Sequence, residues 1–178
     1  MAQPLGANFL LQQGSGQQYE IMRQCNFHVD VEGVDIVLAA QSVNLPRYEL
    51  EAVELFHYND RVKVASKPNA SDMSIQLVDF VAPNIVQQIW DWFKQVYDPN
   101  TSAMGLAGDY KRQAKVFEYA PDQTLIRTWV CHGVWPKNAP TPENARSYSD
   151  GHEFVRIGLT LSVDRATLDG SSSTGLFG

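Results

Sequence analysis

The sequence predicts a mainly β protein: two antiparallel sheets forming a β-sandwich or half-open barrel, with one flanking α-helix at about 83–97. Three observations carry this. Between Tyr110 and Asn138, side chains alternate with a period of two along two arms separated by a proline turn, which is the pattern of a long β-hairpin. The run Val155–Asp164 alternates in the same way over ten residues. One stretch, Ile85, Ile89, Trp92, Phe93 and Val96, repeats instead at three and four, the spacing of an amphipathic helix that covers a sheet.

Taken in order, residues 1–18 are rich in Gln and Gly, with Phe9-Leu10-Leu11 as their one apolar patch, and read as an N-terminal arm. Residues 19–165 read as the β domain and 166–178 as a linker-like tail. Phe27, Val29 and Val31 alternate with His28 and Asp30 as a first strand, Glu32-Gly33 is a turn, and Val34–Ala40 is expected to return as a second strand ending by Pro46. Pro46–Pro68 suggests another hairpin, Val53–His57 against Val62–Ala65, with Tyr58–Arg61 at its tip. Met73, Ile75 and Leu77 alternate with Ser74, Gln76 and Val78. Pro83 is expected in the first turn of the helix, where a missing N–H costs nothing, and Asp98-Pro99-Asn100 ends it. Ile89 and Phe93, one turn apart on the stripe, are both expected to be buried. Thr101–Asp109 reads as loop. Ala120-Pro121-Asp122-Gln123 reverses the central hairpin, and Gly133 and Pro136 are expected to stop its second arm. In the last strand, Val155, Ile157, Leu159, Leu161 and Val163 face the core, and Arg156, Gly158, Thr160, Ser162 and Asp164 face away.

Composition narrows the function classes. The net charge is −6 with no basic cluster, which argues against gripping nucleic acid by its phosphates. No apolar run approaches the ~20 residues of a membrane helix, and the N-terminus lacks the basic and apolar regions of a signal peptide. Cys25 and Cys131 fit no metal or redox spacing and are expected to be free thiols in a reducing bacterial cytoplasm, one or both buried. A bond between neighbouring copies, formed after lysis, is the alternative. His28, His57, His132 and His152 have no ligand-spaced partner, and Cys131 and His132, adjacent on a strand, point to opposite faces. There is no Gly-x-Ser-x-Gly elbow and no Gly-Lys-Ser/Thr phosphate loop. The expectation is a protein with no catalytic residues, no cofactor and no metal.

The residues Tyr110-Lys111-Arg112-x-Ala114, then Tyr119, then Gly133-Val134-Trp135-Pro136-x-Asn138 make the sequence resemble the tail tube proteins of contractile-tailed bacteriophages. Leu45-Pro46 after an early strand and the alternating closing strand agree. The resemblance covers roughly Cys25 to Asp164. It implies a hexameric ring whose inner sheets join into one continuous β-barrel, with rings stacked into a tube inside a contractile sheath. Partners implied are further copies of the chain, the sheath, baseplate and tail-terminator proteins, and genomic DNA passing through the bore without specific binding, with a tape-measure protein as a further occupant of the lumen. The chain would be assembled in the host cytoplasm and reside in the virion tail. Tyr110, Lys111, Ala114, Gly133, Trp135, Pro136 and Asn138 are the motif and core positions. The resemblance also implies that Pro46–Pro68 reaches the next ring, and the arm 1–18 is expected to make contacts of the same kind.

A bore that lets DNA slide must avoid clustered cations, so the small polar face of Ser74, Gln76, Thr160, Ser162 and Asp164 is expected to line the lumen, with a carboxylate neutralising Arg156. Two other readings compete. One is the tube of a contractile injection or type VI secretion device, which resembles phage tubes in fold. The other is a ligand-carrying β-barrel with a pocket lined by Tyr19, Phe27, Trp129 and Phe154; against it, the polar face of the last strand carries no aromatic residue.

Overall fold

A computed structural model describes residues 25–37, 39–142 and 154–169 of the 178-residue chain. The arm 1–18 and Tyr19 lie outside the described residues. The strands are β1 (Phe27–Val31), β2 (Ala40–Asn44), β3 (Tyr48–His57), β4 (Asp60–Ala70), β5 (Met73–Val78), β6 (Tyr97–Asp98), β7 (Ala103–Met104), β8 (Arg112–Tyr119), β9 (Leu125–Pro136), β10 (Arg156–Ser162) and β11 (Arg165–Asp169); the helices are α1 (Ile85–Val96) and the single turn α2 (Ala107–Tyr110). Seven strands form one bent antiparallel sheet in the order β1-β8-β9-β10-β5-β2, with β11 also pairing with β9. Mainly β architecture, antiparallel pairing and the flanking helix all agree with the sequence.

The central hairpin β8–β9 organises the sheet. Asp122 bonds the Thr124 N–H (3.0 Å) and Gln123 takes a φ of +68°, which closes the turn. Gly133 and Pro136 do not stop the second arm as expected. Gly133 has a φ of +66°, and the strand kinks there and continues through Pro136. Before the kink β9 pairs with β8 and β11; after it, Val134 still pairs with Arg112 of β8 across a register shift, and Trp135 and Pro136 pair with Ser162 and Leu161 of β10. β10 and β11 keep one register along β9, so the kink turns one strand pair through a corner and lets a single sheet curl around its own core. The expected linker after Arg165 is therefore strand as far as Asp169. Its alternation was masked by the Gly/Ser-rich residues that follow.

A side chain at position 133 would run into the Asp164 carboxylate. An L-residue in this left-handed conformation costs about 1–2 kcal/mol, before the clash. Gly133→Ala is expected to lower the unfolding free energy by at least that amount in urea titrations. Adding Asp164→Ala removes the carboxylate from the clash, leaving only its Cβ at 3.0 Å, and should restore part of the loss while the backbone cost remains.

The core is one cluster. Val29 and Val31 of β1, Ala114 and Val116 of β8, and Cys131 of β9 meet Met73, Ile75 and Leu77 of β5 and Ile157, Leu159 and Leu161 of β10. Ile85, Ile89 and Trp92 of α1 close it on the flank. Val34–Ala40 is not the expected return strand. Val34 makes one isolated antiparallel bridge back to Val31, Ile36 turns the chain with its carbonyl accepting from both Ala39 and Ala40, and the strand itself begins at Ala40, paired with β5 rather than β1. Burial of Val34, Ile36 and Ala39 explains the misleading apolar run. Pro83 precedes the helix: Asn84 is the cap, its Oδ1 accepting from the Gln87 N–H at 2.9 Å. Ile89 is fully buried, but Phe93 is only half-buried and stacks on Trp90 at 5.8 Å, whereas Trp92 carries the core contact. Thr101–Asp109 also holds more structure than a loop, since β6–β7 and α2 fall in or beside it.

Cys131 is fully buried and Cys25 exposed, both unpaired with each other. Burial pushes the Cys131 thiol up from 9.0 to about 11. Between those values the unfolded state has lost this proton and the folded state keeps it. The associated stability is fully present below pH 9 and is lost as the pH rises toward 11. Ellman's reagent near neutral pH should therefore titrate one thiol quickly and the second only on unfolding. Two fast thiols would contradict the packing.

Candidate assembly surfaces

The longest unsupported feature is the hairpin β3–β4. At about 3.3 Å per residue its ten-residue strand is roughly 33 Å long, and every residue of β3 is exposed. Its base is closed by Arg47 and Ser71, which exchange two bonds, and is tied to the body by the Ala166 N–H donating to Tyr48 Oη (2.7 Å). The expected pairing of Val53–His57 with Val62–Ala65 is present, extended to Tyr48 and Ala70. Tyr58, at a φ of +54°, and Asn59 form the tip.

Register sorts the two faces. Val53 opposes Val64 and Leu55 opposes Val62, so four apolar side chains lie together on one face. All four are 42–53% exposed. On the other face Glu54 pairs with Lys63 (3.4 Å) and Arg61 (3.7 Å), and the Arg61 guanidinium lies over Phe56 at 5.4 Å. An isolated two-stranded hairpin is marginal in water. One with a bare aliphatic face has chemistry that suits burial against another surface.

The second surface lies on the curled sheet. Ser74 opposes Thr160 and Gln76 opposes Gly158 across β5–β10, so the small polar side chains read as bore-facing do share a face. Sequence reasoning missed two neighbours. Ser42 and Asn44 of β2 extend the patch, with Asn44 Nδ2 donating to Ser74 Oγ at 3.0 Å and Ser42 Oγ donating to Gln76 Oε1 at 3.5 Å. Their alternation with Val43 is the available signal, hidden by Leu45-Pro46, which reads locally as a strand end. Ser162 continues the face beside Trp135. Asp164 departs from it: past the kink, its carboxylate accepts from Lys111 Nζ at 2.6 Å.

The motif residues are joints of the fold. Lys111, Gly133 and Asp164 meet at the strand kink. Tyr110 packs edge-on against Trp135 (6.1 Å), and its carbonyl accepts from Trp92 Nε1 at 2.8 Å, which ties α2 to α1 and β9. Arg112 lies over Trp92 at 4.8 Å and donates to the Glu32 carbonyl and to Gln95 Oε1. Partial burial holds its guanidinium below the usual arginine range. Ala114 and Pro136 are buried in the sheet. Asn138 serves as a strand surrogate beyond the end of β9: its Oδ1 accepts from the Thr160 N–H (2.6 Å) and its Nδ2 donates to the Gly158 carbonyl (2.8 Å).

A cleft of about 1160 Å³ opens between Phe27, Val116, Glu118 and Trp129 on one side and Gln41–Arg47, Ser71 and Asp72 on the other. Of the aromatic residues considered for a carrier pocket, Phe27 and Trp129 line it, whereas Phe154 does not line it and is 71% exposed. Among the described residues no group of three or more His, Cys, Asp and Glu could hold a metal ion.

No family model and no curated protein matches the sequence. Solved structures match the fold over most of the chain. A chain of the sheath–tube complex of PVC, an extracellular contractile injection system in its extended state, is similar with a TM-score of 0.65 at 15% identity, over 84% of this chain and 91% of that one. A chain of the sheath/tube terminator of the PVC system gives 0.66 at 16%, over 85% and 98%. Hcp1 from Flavobacterium johnsoniae gives 0.50 at 9%, over 82% and 95%. At these identities the likeness is one of fold, and that fold is the one found in tube proteins of contractile injection systems.

Proposed function

We propose that the chain is a tube subunit: copies join into hexameric rings, and rings stack into a hollow tube inside a contractile sheath. The observation that carries this is the projecting hairpin with its exposed face of Val53, Leu55, Val62 and Val64. It has a place in a stack of rings and none in a single compact chain. Among the described residues β1 and β2 end the sheet, which adds support, because an unpaired edge is an aggregation hazard that closure around a ring removes.

Within this reading the face of Ser42, Asn44, Ser74, Gln76, Thr160 and Ser162 looks into the bore. It is short, polar and uncharged, so it offers a phosphate no cationic fork. Genomic DNA of a contractile phage would slide along such a wall. Sheath, baseplate and terminator proteins are the partners, by likeness to the assemblies that contain the structural neighbours, and a tape-measure protein would occupy the lumen before ejection. Those neighbours also favour a second reading, the tube of an extracellular injection or type VI secretion device with another cargo. Replacing Thr160 with Lys in the source particle adds six cations per ring to the bore. Slowed release of a nucleic acid cargo supports the first reading; unchanged release with DNA as cargo removes Thr160 from the wall. Native mass and negative-stain microscopy of the purified chain separate a tube subunit, which forms rings, from a ligand carrier, which stays a monomer.

A further inference from the structure

The two ends of the sheet carry unlike features. The cleft lies at one end, where β1 and β5 begin and β2 finishes, and Phe27, Ser71 and Val43 are among its lining residues. At the other end β5 gives way to Asp79-Phe80-Val81, ahead of α1. β5 alone, six residues at about 3.3 Å each, holds the two ends roughly 20 Å apart. The turn after β5 therefore does not reach the cleft of its own copy. Yet it is shaped as a knob: Val81 is fully exposed and Phe80 beside it is 40% exposed. A single exposed apolar side chain is ordinary; two in succession on a projecting turn suit a socket in another molecule.

The cleft offers that socket. Phe27, Val43, Leu45 and Val116 give it apolar lining, and at about 1160 Å³ it exceeds the ~300–1,000 Å³ of a typical small-molecule site, which leaves room for a turn of chain. Charge agrees with shape. Two carboxylates of the lining are already paired, Glu118 with Arg127 and Asp72 with Lys137. Arg47 also lines the cleft, and among the described residues its guanidinium meets no carboxylate. Asp79, next to the knob, meets no cation among the same residues. Arg47 and Ser71 close the base of the β3–β4 hairpin as well, so the cleft adjoins the element read as reaching the next ring. We propose a second, head-to-tail contact between rings: Phe80-Val81 of one copy enters the cleft of a copy in the adjacent ring, and Asp79 pairs there with Arg47. Knob and cleft are different surfaces at opposite ends of the fold, so the contact repeats in one direction and gives the stack a fixed polarity. This rests on the tube reading and adds to it a seat separate from the aliphatic hairpin face.

The test assembles particles from two full-length chains in equal amounts, one unmodified and one carrying Val81→Cys with Cys25→Ser, and treats them with a short bismaleimide. Cys25 lines the cleft and is exposed, whereas Cys131 is buried. The proposal expects a linked pair on a denaturing gel that contains one chain of each kind and that neither chain forms by itself. Stacked rings that yield no such pair overturn the proposal and leave the tube reading standing. A pair formed by the Val81→Cys chain alone puts knob against knob and overturns it too. An unmodified chain that forms no rings overturns the tube reading and this contact with it. In a second arm, Asp79→Arg should leave rings in negative stain and abolish their stacks, and adding Arg47→Asp to the same chain should bring the stacks back. Stacks of Asp79→Arg at the parental concentration, or rings of the double variant that stay unstacked, overturn the pairing of Asp79 with Arg47.

Discussion

Replacing Leu55 with Asp and Val62 with Lys leaves the chain folded and abolishes its assembly. The two residues are direct cross-strand partners, so the new side chains form an ion pair and the hairpin keeps its register. Both lie outside the core and are about half exposed, so monomer stability should change by no more than ~0.5 kcal/mol. Assembly is different. Burying two half-exposed aliphatic side chains stabilises a contact by about 2–3 kcal/mol, roughly 30- to 150-fold in affinity. A ring-to-ring contact repeats this at every subunit, so the losses compound. Sedimentation of the variant should show folded, unassembled protein with native circular dichroism. Assembly at the parental concentration would mean that this face is not an interface.

The second large effect is in the core. Among the described residues Trp92 is the largest fully buried side chain, it donates to the Tyr110 carbonyl, and Arg112 lies over its ring. Trp92→Ala is expected to cost about 3–5 kcal/mol, a large share of the ~5–15 kcal/mol of a typical domain. It also frees α2 and the Arg112 contacts that tie α1 to the sheet. The variant should be largely insoluble or unfold at much lower urea. Phe93→Ala, at the half-buried neighbour, should cost clearly less. Equal losses at the two positions would mean that the helix is phased differently on the sheet.

That pair of residues shows how far the sequence could be read. The helical period was legible, but the stripe was wide enough to include Phe93, and only packing against the sheet decides which aromatic faces inward. Strands with one buried and one polar face, β1, β5, β8 and β10, were legible because alternation is imposed by a core on one side. Val34–Ala40 failed for the opposite reason: residues buried in a turn are apolar without being a strand. Gly133 and Pro136 were read as stops by local rules, whereas the positive φ at Gly133 kinks a strand that tertiary pairing carries onward. The polar face was half visible. Ser74, Gln76, Thr160 and Ser162 follow from alternation, while Ser42 and Asn44 join only through the pairing of β2 with β5, which no local pattern announces. Asp164 fits the alternation but is drawn off by Lys111, a residue 53 positions away. The hairpin β3–β4 was legible as a hairpin. Its bare apolar face emerges only once register sets Val53 beside Val64 and Leu55 beside Val62.

The most direct test of the tube reading is a cryo-microscopy map of the purified chain assembled into particles. The reading predicts six-fold rings in which Ser74, Gln76 and Thr160 face the bore and the Val53–Leu55–Val62–Val64 face of each hairpin is buried against the adjacent ring. Particles with that polar face on the outer wall, or with the hairpin face open to solvent, would contradict it.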